Sequence, residues 1–322
     1  MALVNLKDIL HGAQSRRYAV GAFNVVSLES LQAILEAATQ MRSPVILNVA
    51  EVHFKYVDLE TIAPVIRRAA EKAAIPAALH LDHGVSFEAI MRALRAGFTS
   101  VMFDGSTLPY EENVQQTREI VKMAHAIGVT VEAELGVVGG AEGSSEATDD
   151  RGMLTDPKQA EDFVKRTKVD ALAVAIGSAH GLYRAKPKLD FKRLAEIRDA
   201  TGIPLVLHGG SGIPDEDFKR AIELGICKIN VYTEMAQIAS HRIRGILDKD
   251  PSFISFPDLL IAAREAMRDL VMEKIKVFGT ADVCSSPNAF CPTCQGCVVG
   301  SDEYSRLASQ IAKAVIEQLN KE

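Results

Sequence analysis

Three histidines, His83, His180 and His208, each close an apolar run: ALHLDHG, AVAIGSAH and PLVLHGG. Neutral imidazole is a preferred zinc ligand, and catalytic zinc commonly takes three protein ligands with one position left open. Gly181 and Gly209 leave room beside such a metal. One histidine at a strand end reads as a hydrogen-bonded cap; three at equivalent positions point to a metal centre. Asp82 directly precedes His83. Neighbouring side chains on an extended strand point to opposite faces. Asp82 is therefore expected on the other side of the backbone from His83, facing the reacting centre as a proton donor; the competing role is a cap for the next helix. Asp104 (MFDGS) and Glu134 (EAELG) suit a second or alternate metal position, or act as acceptors that orient the histidines. His80 lies before its strand end and is expected inside the fold or behind the site. His11, His53, His125 and His241 read as surface or packing residues.

A second pattern suits an anion. The run HGGSG from His208 offers consecutive backbone N–H groups at Gly209 and Gly210 without side-chain obstruction, and Ser211 adds a hydroxyl. Asn230, Val231, Tyr232 and Thr233 follow another apolar run and form a second candidate phosphate contact.

The elements that must position these groups alternate along the chain. Strand-like runs occupy 20–24, 45–49, 77–81, 100–104, 130–135, 171–177, 205–208 and 226–231. Several are apolar throughout, as strands buried on both faces are. Amphipathic segments separate them, including 28–39 with a Ser27 cap, and 215–224 followed by Gly225. Eight such units in one unbroken series predict a single α/β domain, a (β/α)8 TIM barrel, with an open doubly wound sheet as the competing arrangement. In a barrel all the polar strand ends converge on one face, where active sites are built. Two segments break the rhythm. The stretch 136–156 is glycine-rich and acidic, with the length of a functional lid. Beyond residue 279 an extension carries Cys284, Cys291, Cys294 and Cys297 and a candidate helix at 304–319.

Composition narrows the class. The 322 residues are 48% hydrophobic and 24% charged, which excludes wholesale disorder. A net charge of −6 provides no global basic field, so neither nucleic acid nor an anionic membrane is expected as a partner. The opening MALVNLKDIL is interrupted by Lys7 and Asp8, and no apolar run reaches the ~20 residues of a membrane span. A soluble, cytoplasmic protein is expected. The clustered cysteines then read as a metal clip, a redox element or incidental thiols sooner than as a disulfide framework.

Taken together, ALHLDHG, SVMFDGS, VEAELGVVGG, AVAIGSAHGLY, PLVLHGGSGIP and KINVYTE resemble the class II, metal-dependent ketose-bisphosphate aldolases, in particular the tagatose-bisphosphate and fructose-bisphosphate members. The resemblance runs in unbroken order over roughly residues 1–280. It implies an aldolase barrel over 1–279 and a separate extension over 280–322. The implied reaction is reversible cleavage of a ketose 1,6-bisphosphate to dihydroxyacetone phosphate and an aldehyde. It also implies Zn2+ on His83, His180 and His208, with Asp104 and Glu134 near an alternate metal position. Asp82 would serve the proton on the aldehyde-derived oxygen, and Glu142 that on the triose-phosphate carbon. Gly181, Gly209, Gly210 and Ser211, with Asn230, Val231, Tyr232 and Thr233, would bind the phosphorylated half. A monovalent cation, Na+ or K+, and a homodimer or homotetramer complete the expectation. Bottom-up, Glu142 is one of several acids in its loop, beside Glu146, Asp149 and Asp150.

Three features depart from the family pattern. Tyr232 stands where an Asp or a small residue is usual, the region near Arg264 lacks a clear match to the distal-phosphate arginine, and the cysteine-bearing extension is additional. A ketose 1-phosphate lacking the distal phosphate is thus the alternative substrate. Rival readings are a Schiff-base aldolase using Lys228, and a regulatory subunit that keeps only the barrel.

Overall fold

The computed structural model describes residues 3–140, 147–148, 152–183 and 186–285. Its centre is a ring of eight parallel strands: β1 (Val20–Asn24), β2 (Val45–Ala50), β3 (Ala77–Gly84), β4 (Ser100–Phe103), β5 (Thr130–Leu135), β6 (Ala171–Val174), β7 (Leu205–Leu207) and β8 (Ile226–Val231). Each pairs with its sequence neighbours, β8 pairs with β1, and the ring is closed. The intervening helices are α1 (Leu28–Gln40), α2 (Leu59–Lys72), α3 (Phe87–Arg95), α4 (Tyr110–Ala126), α5 (Pro157–Thr167), α6 (Phe191–Thr201) and α7 (Asp215–Glu223). They are followed by α8 (Thr233–Leu247) and α9 (Phe256–Val277). The arrangement is the expected (β/α)8 barrel.

Local chemistry accounts for the elements. Ser27 and Ser30 exchange side-chain-to-backbone bonds in a capping box that starts α1. Along β3 the odd residues Leu79 and Leu81 join the core between strands and helices, while Ala78 packs inside the barrel. The inner cluster is built largely of small residues, Ala22, Ala78, Ala171 and Ala173, with Ile46, Met102 and Val206. Its floor was not anticipated. Residues Leu3–Val4 pair with the start of β3, and two short helices, Leu6–Leu10 and Ala13–Arg16, place Leu6, Ile9 and Leu10 across the bottom of the barrel.

One strand carries an irregularity that matters later. Between β3 and β4, Leu81 pairs with Val101 but the next partner pair is Gly84 with Phe103. Two residues of β3, Asp82 and His83, therefore stand against one residue of β4, which is a β-bulge. His83 has φ 43°, a left-handed conformation that is uncommon for a residue other than glycine. The strand thus continues to Gly84, three residues past its expected end at 81.

The long segment after β5 is tied at its base by an antiparallel bridge between Val137 and Met153, and Ala147–Thr148 pair with Leu182–Tyr183. Glu142 lies outside the described residues, as do Glu146, Asp149 and Asp150, the cysteines at 291, 294 and 297, and the candidate helix at 304–319. Past residue 279 the chain remains docked: Asp282 N donates to Met41 O (2.8 Å), Cys284 N donates to Arg42 O (2.9 Å), and Val283 is buried with the inner cluster.

The floor is expected to contribute to global stability. Leu6→Ala removes a fully buried side chain, and a loss of about 2–5 kcal/mol in urea unfolding is predicted. A loss below about 0.5 kcal/mol, the surface-substitution range, would mean that the N-terminal helices do not belong to the cooperative core.

Candidate metal centre and active site

His83 sits on the β3 bulge, His180 in the loop after β6, and His208 directly after β7. All three are buried, and one ligand atom from each lies within 4.8 Å of the others. His180 is placed through its backbone, its N–H donating to Gly139 O at 2.7 Å. His83 and His208 are each backed by a carboxylate. His83 Nδ1 is 2.8 Å from Asp104 Oδ2, and His208 Nε2 is 3.0 Å from Glu132 Oε1. An ionised carboxylate only accepts, so each of those outer nitrogens carries the proton. The inner nitrogens, His83 Nε2 and His208 Nδ1, lie 2.6 Å apart, and in the neutral rings that bind a metal both present lone pairs. Two facing lone pairs repel unless a cation shares them. The donor set therefore fits a zinc ion in its chemistry and number.

The carboxylates divide into two kinds. Burial alone would raise Asp104, but the bond and charge of His83 and two bonds to Ser106 outweigh it and hold the group well below the usual carboxylate range. Glu134 is pushed up to about 8, first by burial and then by the neighbouring Asp104 charge. Its Oε2 has no hydrogen-bond partner among the described residues. With His83, Asp104 and Glu134 form a second trio whose ligand atoms also lie within 4.8 Å of one another. Asp104 and Glu134 thus both lie beside His83.

Asp82 faces the candidate reacting centre. It lines a cavity together with His180, and His83, beside it on the bulge, turns its ring toward His180 and His208. Asp82 is nearly fully buried; its Oδ1 accepts from Asn230 Nδ2 at 2.8 Å, and its Oδ2 has no hydrogen-bond partner among the described residues.

The same cavity is lined by Asn24, Gly181 and the Gly209–Gly210–Ser211 run. Asn230, Tyr232 and Thr233 belong to the same lining. Val231 departs from the expectation: its side chain belongs to the outer core, so only its backbone is available. Gly209 has φ 65°, and a Cβ there would lie 2.2 Å from Ala179 O, so no other residue brings these backbone amides so close to the histidine loop. Ser211 Oγ accepts from Glu234 N–H (3.2 Å) in the first turn of α8, whose N-terminus opens on the cavity. Tyr183 ties the two loops together: its hydroxyl accepts from Ala179 N (2.8 Å) and donates to Gly209 O (2.7 Å).

Sequence reasoning missed a buried polar chain beneath the metal ligands. His80 Nδ1 is 2.9 Å from Ser100 Oγ, Lys228 Nζ is 3.4 Å from His80 Nε2 and 2.8 Å from Glu132 Oε2. All four residues are fully buried. The spacing of Glu132 and Glu134, two apart on one strand, was the visible sign that both face inward. His53 is buried and stacks obliquely on Tyr232, ring centroids 4.5 Å apart.

Burial, reinforced by the Lys228 charge, holds His80 well below the usual imidazole range, and burial followed by the His83 charge does the same to His208. Unfolded imidazoles titrate near ~6.5. Below that pH the unfolded metal-free chain binds more protons than the folded one, so stability falls on acidification. Glu134 acts in the opposite sense between ~4.5 and about 8, because the folded state keeps its proton there. Two imidazoles against one carboxyl leave a net loss from ~6.5 toward ~4.5, on the order of 1.4 kcal/mol per pH unit. Denaturation midpoints of chelator-treated protein at several pH values in that interval measure it; a midpoint that rises on acidification would contradict buried neutral imidazoles.

Comparison with known proteins agrees with this geometry. Residues 4–283 match the family model described as "Fructose-bisphosphate aldolase class-II". The chain is 46% identical over 284 residues to a protein named fructose-bisphosphate aldolase from Geobacillus stearothermophilus, covering 87% of this chain and 98% of that one. It is 45% identical over 285 residues to a probable fructose-bisphosphate aldolase of Bacillus subtilis (strain 168), covering 88% and 99%. Among solved structures, the YdjI aldolase from Escherichia coli K12 superposes with a TM-score of 0.78 at 38% identity, covering 87% of this chain and 98% of that one. By sequence match and by fold, the chain belongs to the class II fructose-bisphosphate aldolase family.

Proposed function

We propose that this chain catalyses the reversible, zinc-dependent aldol cleavage of a ketose 1,6-bisphosphate, of fructose or tagatose type, to dihydroxyacetone phosphate and an aldehyde. The reading is carried by one observation: three imidazoles converge beside a buried carboxylate with a bare oxygen, at the mouth of a glycine-built anion nest. His83, His180 and His208 would hold the metal, with Asp104 and Glu134 offering the alternate position. Zinc, when bound, supplies Lewis-acid polarisation of the ketose carbonyl, which stabilises the electron pair left by the breaking carbon–carbon bond.

The remaining chemistry belongs to the chain. Asn230 holds Oδ1 of Asp82, which leaves Oδ2 to take the proton from the C4 hydroxyl as the C3–C4 bond breaks and the aldehyde forms. In the condensation direction the same oxygen returns that proton. C3 of the triose phosphate must gain a proton in cleavage, a role we assign to Glu142. The amides of Gly209 and Gly210, the Ser211 hydroxyl and the N-terminus of α8 at Thr233 suit the phosphate of that half. A monovalent cation beside the phosphate, a homo-oligomeric assembly and a cytoplasmic setting belong to the same proposal; among the described residues no helix is long and apolar enough to cross a membrane.

The lysine-based rival has weak support. Lys228 is fully buried and paired with Glu132, so it has neither access nor a free amine. A ketose 1-phosphate is the better-supported second reading, because no lysine or arginine is among the described residues lining the cavity.

Purified protein is expected to carry stoichiometric zinc, to lose turnover with EDTA and to resist borohydride trapping. Full activity after EDTA with borohydride inactivation would sink the metal mechanism. Asp82→Asn is expected to keep zinc and lower kcat by about 10²–10⁴; an unchanged kcat would remove Asp82 from the reaction. A panel of ketose bisphosphates and 1-phosphates separates the two substrate readings: kcat/KM at least tenfold higher for a 1-phosphate would favour the second.

A further inference from the structure

We infer that Glu132, anchored by Lys228, is a positioning residue that sets the tautomer of His208, so that His208 meets the metal through Nδ1 while His83 meets it through Nε2. The inference rests on the zinc reading above.

The direction of every bond in the buried chain follows from what each group can do. A lysine ammonium only donates, so His80 Nε2, 3.4 Å from Lys228 Nζ, must accept. His80 then carries its proton on Nδ1 and donates it to Ser100 Oγ at 2.9 Å. Ser100 passes its own hydrogen to Leu79 O at 3.4 Å. On the other side Lys228 donates to Glu132 Oε2 at 2.8 Å, which keeps that carboxyl ionised and acceptor-only. Glu132 Oε1 can then only accept from His208 Nε2–H at 3.0 Å. The unprotonated nitrogen of His208 is left to be Nδ1, on the side of His83. Asp104 imposes the opposite tautomer on His83, because it holds that ring by Nδ1. Glu132 and Lys228 reach no solvent and line no part of the cavity, so their part in the reaction is exerted through His208.

The test uses the zinc-loaded enzyme with 15N-labelled histidine. Nuclear magnetic resonance is expected to show His208 protonated on Nε2 and His83 on Nδ1, two opposite tautomers in one spectrum. A His208 proton on Nδ1 with zinc bound would overturn the inference and leave the metal reading standing. Wild-type protein that binds no zinc would instead overturn the metal reading, and this inference with it. Chelator competition gives the second measurement. Glu132→Leu combined with Lys228→Leu removes both charges together, which avoids burying either one alone. This variant is expected to bind zinc about 10- to 100-fold more weakly. Should it fail to fold, Glu132→Gln serves in the same assay, with weakening again expected. Zinc affinity within twofold of wild type in a folded variant would overturn the positioning role.

Discussion

The ion pair between Lys228 and Glu132 is the constraint around which the polar interior of this barrel is organised. Two full charges without solvent contact cost several kcal/mol each to desolvate, and the pair persists only where geometry and extra hydrogen bonds repay that cost. Both conditions hold. The contact is 2.8 Å, His80 takes a further lysine bond and His208 gives one to the free carboxylate oxygen. A network this saturated has one arrangement of protons. Rigidity in the metal ligands follows from rigidity one layer below.

A different device places the ligands at the upper layer. A regular strand would send Asp82 and His83 to opposite faces, wasting one of them. The bulge places Asp82 in the cavity lining and the His83 ring against His180 and His208, with a left-handed backbone at His83. Such strain persists where the surroundings over-determine the residue. Here the Asp104 bond to the ring and the strand pairing on either side supply that determination. The floor formed by Leu6, Ile9 and Leu10 closes the other end, so the barrel that holds the strained segment is packed from below.

Much of this was legible in the residues. Strands of a closed parallel sheet are buried on both faces and read as apolar runs, so all eight were found with ends displaced by at most a few residues. The three histidines were legible because a polar residue that ends an apolar run needs a reason to be there. The bulge was not, because register belongs to a pair of strands and no single strand encodes it. The N-terminal floor was present as Leu6, Ile9, Leu10 and Ala13, spaced for one face of a helix, but Lys7 and Asp8 drew attention to polarity instead. Lys228 stood out as a charge within ICKINV, yet its partner Glu132 lies 96 residues away, and no local pattern joins them.

The charge count at the barrel mouth gives the last step. Asp82, Asp104, Glu132 and Glu134 gather around imidazoles, two of which carry no charge near neutrality, and Lys228 is the only buried cation among them. Lys228 offsets Glu132, and Glu134, pushed up to about 8 by burial and then by the Asp104 charge, holds its proton near neutrality, which leaves Asp82 and Asp104 as the uncompensated carboxylates. That surplus attracts a divalent cation and would repel a phosphate dianion. The two demands are reconciled by separation. Asp104 and Glu134 gather at His83 and Glu132 at His208, outside the cavity lining, while the glycine amides and the α8 N-terminus offer positive dipoles within it. A cation held by the histidines would offset those acids and leave the amide dipoles as the field that a phosphate meets.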